Sequence, residues 1–501
     1  MRVKVLSRAS DLARLQAGLV GRTLTARWPD LDISFLTRTS AGDRDAVTPL
    51  VGFADKGAFT TDLTEALLAG HADLVVHSWK DLPIEDRAGT KVVATLERAD
   101  PRDVLLVRKD VLAAQPTTLT VLSSSPRRVF LLRASLPALL PWKVDAIQDV
   151  MVRGNIPTRL RRLLERRADA LVVAKAALDR LLGADASFSE TTKVVREAID
   201  QCHWMVLPIS LHPSAPAQGA LAIEIAASAT ALGDRLRAIN HAPTWTSVLR
   251  EREILAAHGG GCHAALGATV FERDFGRVTS VRLRDQDGVT HTTWSLEHSG
   301  ELPPRAEASH VWPRPEERGT AARRALDAAP PATDTGLWVT RAEALPESWQ
   351  VAADQIVWVS GTRTWQKLAA RGIWVHGSAD GLGDAEAPQI DAFAGRTIAW
   401  RRLTHAAAAE TLPDALATYV VEETLPADLS SRTHFFWSSG TAFQEAIART
   451  PAIRDKWHAC GPGRTWRVVR EILGPGGRVS AWLDYDQWLS SVRRNNEVAQ
   501  Q

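Results

Sequence analysis

The sequence offers three kinds of reactive group: a thiol set in glycines, a lysine–aspartate pair closing an apolar run, and a scattered set of arginines. In HGGGCHA the three glycines remove side-chain bulk and permit unusual backbone angles, so Cys262 can stand exposed on a turn. A free cysteine with no such context is as readily a small buried hydrophobe; the glycines and His263 weigh against that here. No protease signature accompanies the thiol. HSWKDLP places His77, Ser78, Lys80 and Asp81 directly after the strand-like DLVV. Arg8 and Ser10 lie in LSRAS, Asp43 in SAGDRD, Ser124, Ser125, Arg127 and Arg128 in SSSPRR, and Arg153, Asn155 and Arg159 in RGNIPTR. An α/β fold puts ligand contacts at such strand ends and helix starts. The planar fork of arginine suits carboxylates, so the expected ligand is a small polyanion. Arg127 and Arg128 oppose the dipole of the helix they begin, which points to a ligand rather than a stability role. Arg161, Arg162, Arg166 and Arg167 read as a solvated helix face, and Cys202 and Cys460 as inert.

The elements that must position these groups alternate. VKVLS, SDLARLQAGLVGRTLTARW, DISFLTRT, FTTDLTEALLAGHA and DLVVHS read as strand and helix in turn, a first α/β domain. DVLLVR, TLTVLSSSPRRVFLLRASL, NIPTRLRRLLERRA and DALVVAKAAL make a second. From ALAIEIAA onward a helix and the alternating RVTSVRLRDQ and THTTWSLEH read as a smaller α+β unit. AARRALDA reads as helical and APPATDTG as a linker. Beyond it LWVTRA, QIVWVSGTRTWQKLAARG, THFFWSSGTAFQEAIART and DKWHACGPGRTWRVVREI repeat strand, Gly/Ser turn and helix, a further α/β domain. The 501 residues suit several domains of roughly 100–200 residues each. A formal charge of +2 argues against a nucleic-acid surface. No apolar run reaches the about 20 residues of a membrane span, and the N-terminus lacks a secretory pattern, so a cytoplasmic protein is expected. Three distant cysteines imply no disulfide framework and no metal site. Cys202, His203 and Met205, soft ligands in an apolar run, read as core packing.

In combination these motifs resemble a known family. HSWKDLP, SSSPRR, RGNIPTRL, APAQGALAIE and GGGC are similar, in order and approximate spacing over residues 1–328, to those of the hydroxymethylbilane synthases, also called porphobilinogen deaminases. The resemblance implies two α/β domains of periplasmic-binding-protein type, a small α+β third domain and an additional C-terminal α/β domain. The expected boundaries are 1–96 with about 197–217, then 97–196, 218–328, a linker at 329–336, and 337–501. It implies a transferase of porphyrin biosynthesis that condenses four porphobilinogen molecules, with loss of ammonia, into the linear tetrapyrrole hydroxymethylbilane. It also implies a dipyrromethane cofactor held as a thioether by Cys262, with Asp81 as the catalytic carboxylate. Lys80, Ser125, Arg127, Arg128 and Arg153 would bind the cofactor, and Arg8, Ser10, Lys56, Phe59, Arg159 and Arg180 the substrate. The implied partners are porphobilinogen and the oligopyrrole intermediates, with no nucleic acid and no membrane, and the chain is expected to be a monomer.

Departures from the family pattern include Asp11 in place of proline, Trp79 in place of methionine, Lys175 in a normally apolar segment, and an inserted stretch at 189–214. The turns SGTRTW, FFWSSGTAF and ACGPGRTW beyond residue 335 resemble uroporphyrinogen-III synthase, the next enzyme of the pathway and an implied partner. That leaves two alternatives to the plain synthase: an enzyme that also closes the ring, and a two-lobed binding module for small anions.

Overall fold

The computed structural model describes residues 1–39, 60–258, 265–285, 287–318, 322–383, 386–422 and 425–493. Asp43, Lys56, Phe59, Cys262 and His263 lie outside the described residues. The protein is mixed α/β and divides into two compact units. One comprises Met1–Phe271, Thr279–Trp294 and Ile390–Thr397; the other comprises Glu272–Val278, Ser295–Gln389 and Ile398–Gln501. Among the described residues no helix is long and apolar enough to cross a membrane.

Two five-stranded sheets form the body of the first unit. One is ordered Asp32–Arg38, Arg2–Arg8, Leu74–Ser78, Leu221–Ala226, Thr90–Ala94. The second is ordered Ala146–Val150, Thr118–Leu122, Ala170–Ala174, Asp103–Arg108, Cys202–Val206. Their central strands, LVVHS, DVLLVR and ALVVA, are buried almost throughout, as strands covered on both faces must be. Arg2–Arg8 runs parallel to both its neighbours, as does Thr118–Leu122. Each sheet also holds one strand running the other way. Leu221 pairs with Ser78, and Asp103 pairs with Ala174, both antiparallel. The start of each reversed strand therefore sits at the edge where the parallel strands end.

Caps explain why the motifs sit where they do. Ser10 accepts from the amide of Ala13 and starts the helix Asp11–Arg27. Ser125 does the same for Pro126–Ser135, with proline in its first turn, and Asn155 for Ile156–Leu164. The side chains satisfy amides that a helix start leaves open. Trp79 fills its place against Trp245, with ring centroids 5.1 Å apart, among Ala217, Ala220 and Val248.

Three readings of the sequence change. Cys202–Val206, expected in the first domain, pairs with Asp103–Arg108 as an edge of the second sheet. Ala322–Ala325, read as helical, is a strand antiparallel to Ala415–Glu422; pairing with a distant strand overrides the helix propensity of Ala and Arg. Val311–Trp312 and Ala322–Ala325 join sheets of the second unit, whereas the sequence reading ended the third domain at 328. A three-stranded sheet follows chain order through Leu266–Arg273, Gly276–Arg284 and Thr290–His298.

The second unit carries two sheets where one further α/β domain was expected. One is ordered Ala322–Ala325, Ala415–Glu422, Trp400–His405, Gly336–Val339, Val357–Val359, Gly377–Ser378; the other Val311–Trp312, His434–Trp437, Trp457–Cys460, Val479–Ala481. In the core of the latter, Trp437 donates its indole N–H to Nδ1 of His458 at 3.0 Å, and Nε2 of His458 lies 3.0 Å from the carbonyl of Ile453. Acceptance at Nδ1 requires the neutral ring, with the proton on Nε2 donated to the carbonyl. Burial lowers the His458 pKa from its ordinary 6.5 to about 4. The unfolded chain takes up the proton first, so stability falls as pH drops from about 6.5 toward 4, by on the order of 2–3 kcal/mol. Urea midpoints read by tryptophan fluorescence at pH 7 and 4.5 should show that loss, and His458→Gln should flatten it. An unchanged pH dependence in the variant would refute the assignment.

Candidate functional site

Lys80 and Asp81 close a short 3-10 turn, Trp79–Asp81, at the end of Leu74–Ser78. The His77 of the same motif points inward, with Nε2 2.8 Å from a carboxylate oxygen of Glu224, whose other oxygen accepts from Thr90 at 2.6 Å. Burial works against that carboxyl, yet His77 and Thr90 hold it below its usual range. His77 is thus a brace within the first sheet. Lys80 donates to Oε1 of Gln218 at 3.1 Å. The carboxylate of Asp81 is half-buried and accepts no hydrogen bond from a described residue.

Across from this turn stands Asp103, fully buried at the start of its reversed strand. Arg127 donates to one carboxylate oxygen at 2.8 Å, and Arg128 to the other at 2.7 and 3.2 Å. Gln218 donates to Asp103 at 2.9 Å and to the carbonyl of Pro101 at 2.7 Å, while its Oε1 also meets Arg128 at 3.4 Å. His212 completes the ring at 3.3 Å from Asp103; burial lowers its pKa to about 4. Burial alone would raise the Asp103 pKa, but Arg128 and Arg127 hold the carboxyl well below its usual range. The anion beside Arg127 and Arg128 is therefore supplied by the protein, a stability role where the sequence pointed to a ligand. Arg127, with its second contact to the carbonyl of Pro213 at 2.8 Å, is committed to internal partners.

Positive charge remains in excess. Burial, then Arg128, lowers the Lys80 pKa to about 8, with Asp81 and Asp103 opposing and Arg127 adding. Burial, then Arg128 and Arg153, lowers Arg159 to about 10. Five cations, Lys80, Arg127, Arg128, Arg153 and Arg159, face two carboxylates, Asp81 and Asp103. Such a cluster is stabilised by bound anions. Lys80 has a thermodynamic signature: an anion placed beside it raises its pKa, so binding takes up a proton above about pH 8. Calorimetry of mellitate binding at pH 8.5, in two buffers of different ionisation heat, should show that uptake. The background is Cys262→Ser, which removes that thiol. Lys80→Arg should abolish the uptake; proton release or no linkage in the parent would refute it.

Other expected site residues have partners of their own. Ser125 caps its helix and lines a cavity of about 570 Å³ with Ser124, Phe130, Arg133, Met151 and Arg284. Arg8 ends the first strand and Ser10 caps the next helix. Arg180 donates to the carbonyl of Gly219 at 2.7 Å, and burial lowers its pKa to about 10. Arg161, Arg162, Arg166 and Arg167 are exposed, but Arg166 and Arg167 lie past the end of the helix Ile156–Leu164. Cys202 and Cys460 are buried, and burial pushes both thiols up, Cys202 to about 12. Asp103, His212 and Gln218 were missed. Only APAQGA, which contains Gln218, carried a signal for any of them.

A half-buried carboxylate beside surplus cations, at the carboxyl edge of two α/β sheets, is an arrangement that suits a polycarboxylate. Residues 3–234 match the family model described as porphobilinogen deaminase, dipyromethane cofactor binding domain. The chain is 36% identical over 291 residues to a porphobilinogen deaminase of Moorella thermoacetica, covering 57% of this chain and 84% of that one. It is 33% identical over 267 residues to one of Geobacter sulfurreducens, covering 53% and 76%. The chain belongs to the porphobilinogen deaminase family. The aliphatic sulphonate binding protein SsuA of Escherichia coli aligns with 51% of this chain and 70% of its own at 15% identity, with a TM-score of 0.26; nothing is drawn from that likeness. The likeness of the C-terminal turns to uroporphyrinogen-III synthase gains nothing from these matches.

Proposed function

We infer that this chain is a hydroxymethylbilane synthase, joining four porphobilinogen molecules head to tail with release of ammonia onto a dipyrromethane primer. The observation that carries this reading is the cationic cluster around Asp81, in a chain of this family. The donor set fits the primer. Each ring of such a chain bears two carboxylates, and the surplus of cations over Asp81 and Asp103 calls for several anions. Cys262 would hold the primer as a thioether, and Lys80, Arg128, Arg153, Arg159 and Ser125 would face its carboxylates, with Arg127 supporting Arg128 from behind through Asp103. When bound, the primer supplies the pyrrole carbon to which each new ring is joined. Lys56, Phe59, Arg8, Ser10 and Arg180 are assigned to the incoming substrate.

The reaction needs a carboxylate where Asp81 stands. The aminomethyl C–N bond of porphobilinogen breaks as ammonia leaves, and the resulting azafulvene is cationic. A ring-to-ring C–C bond then forms and one proton is lost. Asp81 stabilises the cation and takes the proton. Lys80 and Arg159 on either side hold the flanking carboxylates away from it. The domain scheme proposed is two sheet domains and a smaller third domain bearing Cys262, in a monomeric cytoplasmic enzyme.

Intact-protein mass spectrometry tests the assignment. The chain made with porphobilinogen available should weigh more than its polypeptide by one dipyrromethane, and Cys262→Ser should weigh its polypeptide alone. A bare mass for the parent chain, or an adduct that survives in Cys262→Ser, would refute the corresponding part.

A further inference from the structure

Lys175, the departure from an apolar segment, is fully buried. Its ammonium lies 2.8 Å from Asp179 and 3.5 Å from Asp100. The ring of Phe393 also lies against it, with its centroid 5.5 Å away, a cation over an aromatic face. Phe393 comes from more than two hundred residues further along the chain and is 2% exposed. Its ring also packs on Trp204 at 5.4 Å. Arg196 donates to the carbonyl of Phe393 at 2.8 Å and to that of Ala392. These carbonyls belong to the four-residue helix Asp391–Ala394, whose end would otherwise leave them open. Gly395 then turns the chain away in the left-handed conformation, φ 68°.

Three elements thus converge on one short segment: the helix Lys175–Leu182, the helix Ser189–Asp200 with Arg196, and the strand Cys202–Val206 with Trp204. The last two lie in the insertion. A further departure joins them, since Asp11 accepts from Thr191 of the inserted helix at 2.5 Å. The helix Lys175–Leu182 also grips both stretches of chain that pass between the two sheets of the first unit. Through Lys175 it holds Asp100 in 95–102, and through Arg180 it holds the carbonyl of Gly219 in 207–220. The two stretches touch: Gly219, at φ 88°, lies where a Cβ would collide with the carbonyl of Ala99. Asp103 follows the first stretch directly, and the second contains Gln218.

We propose that Lys175, Arg196 and Trp204 form a docking surface for the chain's own residues 390–397, and that the seated segment clasps the two crossings that hold Asp103 and Gln218 in register. The insertion is the receptor for this clasp, and Phe393 adds a cation–π contact to a buried lysine that Asp179 and Asp100 already pair.

The test is hydrogen exchange in the full chain loaded with its primer. Phe393→Ala should accelerate exchange at 95–102 and 207–219 by about tenfold, and leave the strand Arg2–Arg8 unchanged. Lys175→Met removes the charge that Phe393 covers, so adding Phe393→Ala to it should accelerate the crossings by about threefold or less. Should Phe393→Ala fail to fold, Phe393→Leu is read the same way. Unchanged exchange at the crossings, or equal acceleration in Arg2–Arg8, would overturn the clasp, as would an undiminished effect in the Lys175→Met background. The readout does not depend on the reaction assigned above, so its failure leaves that reading standing.

Discussion

Asp81→Asn is expected to keep the full dipyrromethane adduct and to lose about 10³-fold in kcat. The amide preserves the shape of the side chain, and no described residue donates to the carboxylate, so the fold should be indifferent to the change. What disappears is a negative charge that both Lys80 and Arg159 feel. Two effects follow with opposite signs. The cluster becomes more cationic, so polycarboxylates bind at least as tightly as before. The cationic azafulvene, in contrast, loses its counter-charge and its proton acceptor. The signature is therefore a fall in kcat without a rise in KM, which marks an interaction made in the transition state and not in ground-state binding. Ammonia release and tetrapyrrole formation under saturating porphobilinogen measure the first quantity, and intact mass the adduct. A kcat within tenfold of the parent would remove Asp81 from the chemistry. A lost adduct would make it a binding residue instead.

The motif residues were legible because each is local. Ser10, Ser125 and Asn155 announce helix starts, and HSWKDLP ends a strand whose apolar run is unmistakable. Arg127 and Arg128 were read as holding a ligand rather than serving stability, whereas an internal carboxylate, Asp103, sits on both. The identity of that anion was hidden, because Asp103 reaches them only if Asp103–Arg108 runs against Ala170–Ala174, and apolar strands such as DVLLVR and ALVVA carry no mark of direction. Gln218 depended likewise on the reversed Leu221–Ala226. The edge strand Cys202–Val206 could have served either sheet by its composition. Ala322–Ala325 was lost for the opposite reason: its Ala and Arg favour helix, and its partner Ala415–Glu422 lies too far along the chain to be seen from a local pattern. Lys175 looked like an anomaly because the ring that covers it stands far off in the sequence.

Asp103→Asn is expected to cost about 3–5 kcal/mol, the loss that follows when one partner of a buried ion pair is removed and the other stays behind. Here two partners stay behind. Arg127 and Arg128 each hold one oxygen of this fully buried carboxylate, and Gln218 and His212 close the ring around it. An asparagine offers one acceptor oxygen in place of two, and its amide turns N–H groups toward guanidinium groups that also donate. Burial already lowers the Arg127 pKa against the opposing pull of Asp103, so its charge is poorly tolerated without that carboxylate. The consequence should extend to the site, since Gln218 connects Asp103 to Lys80. Freed arginines would seek another anion, so mellitate should stabilise Asp103→Asn in the Cys262→Ser background more than it stabilises that background alone. Thermal unfolding with and without mellitate separates the two effects. A loss below about 1 kcal/mol would show that the arginines do not need Asp103, because surface-like pairs cost no more than that. A large loss with no added response to mellitate would show that they need Asp103 but do not face the ligand.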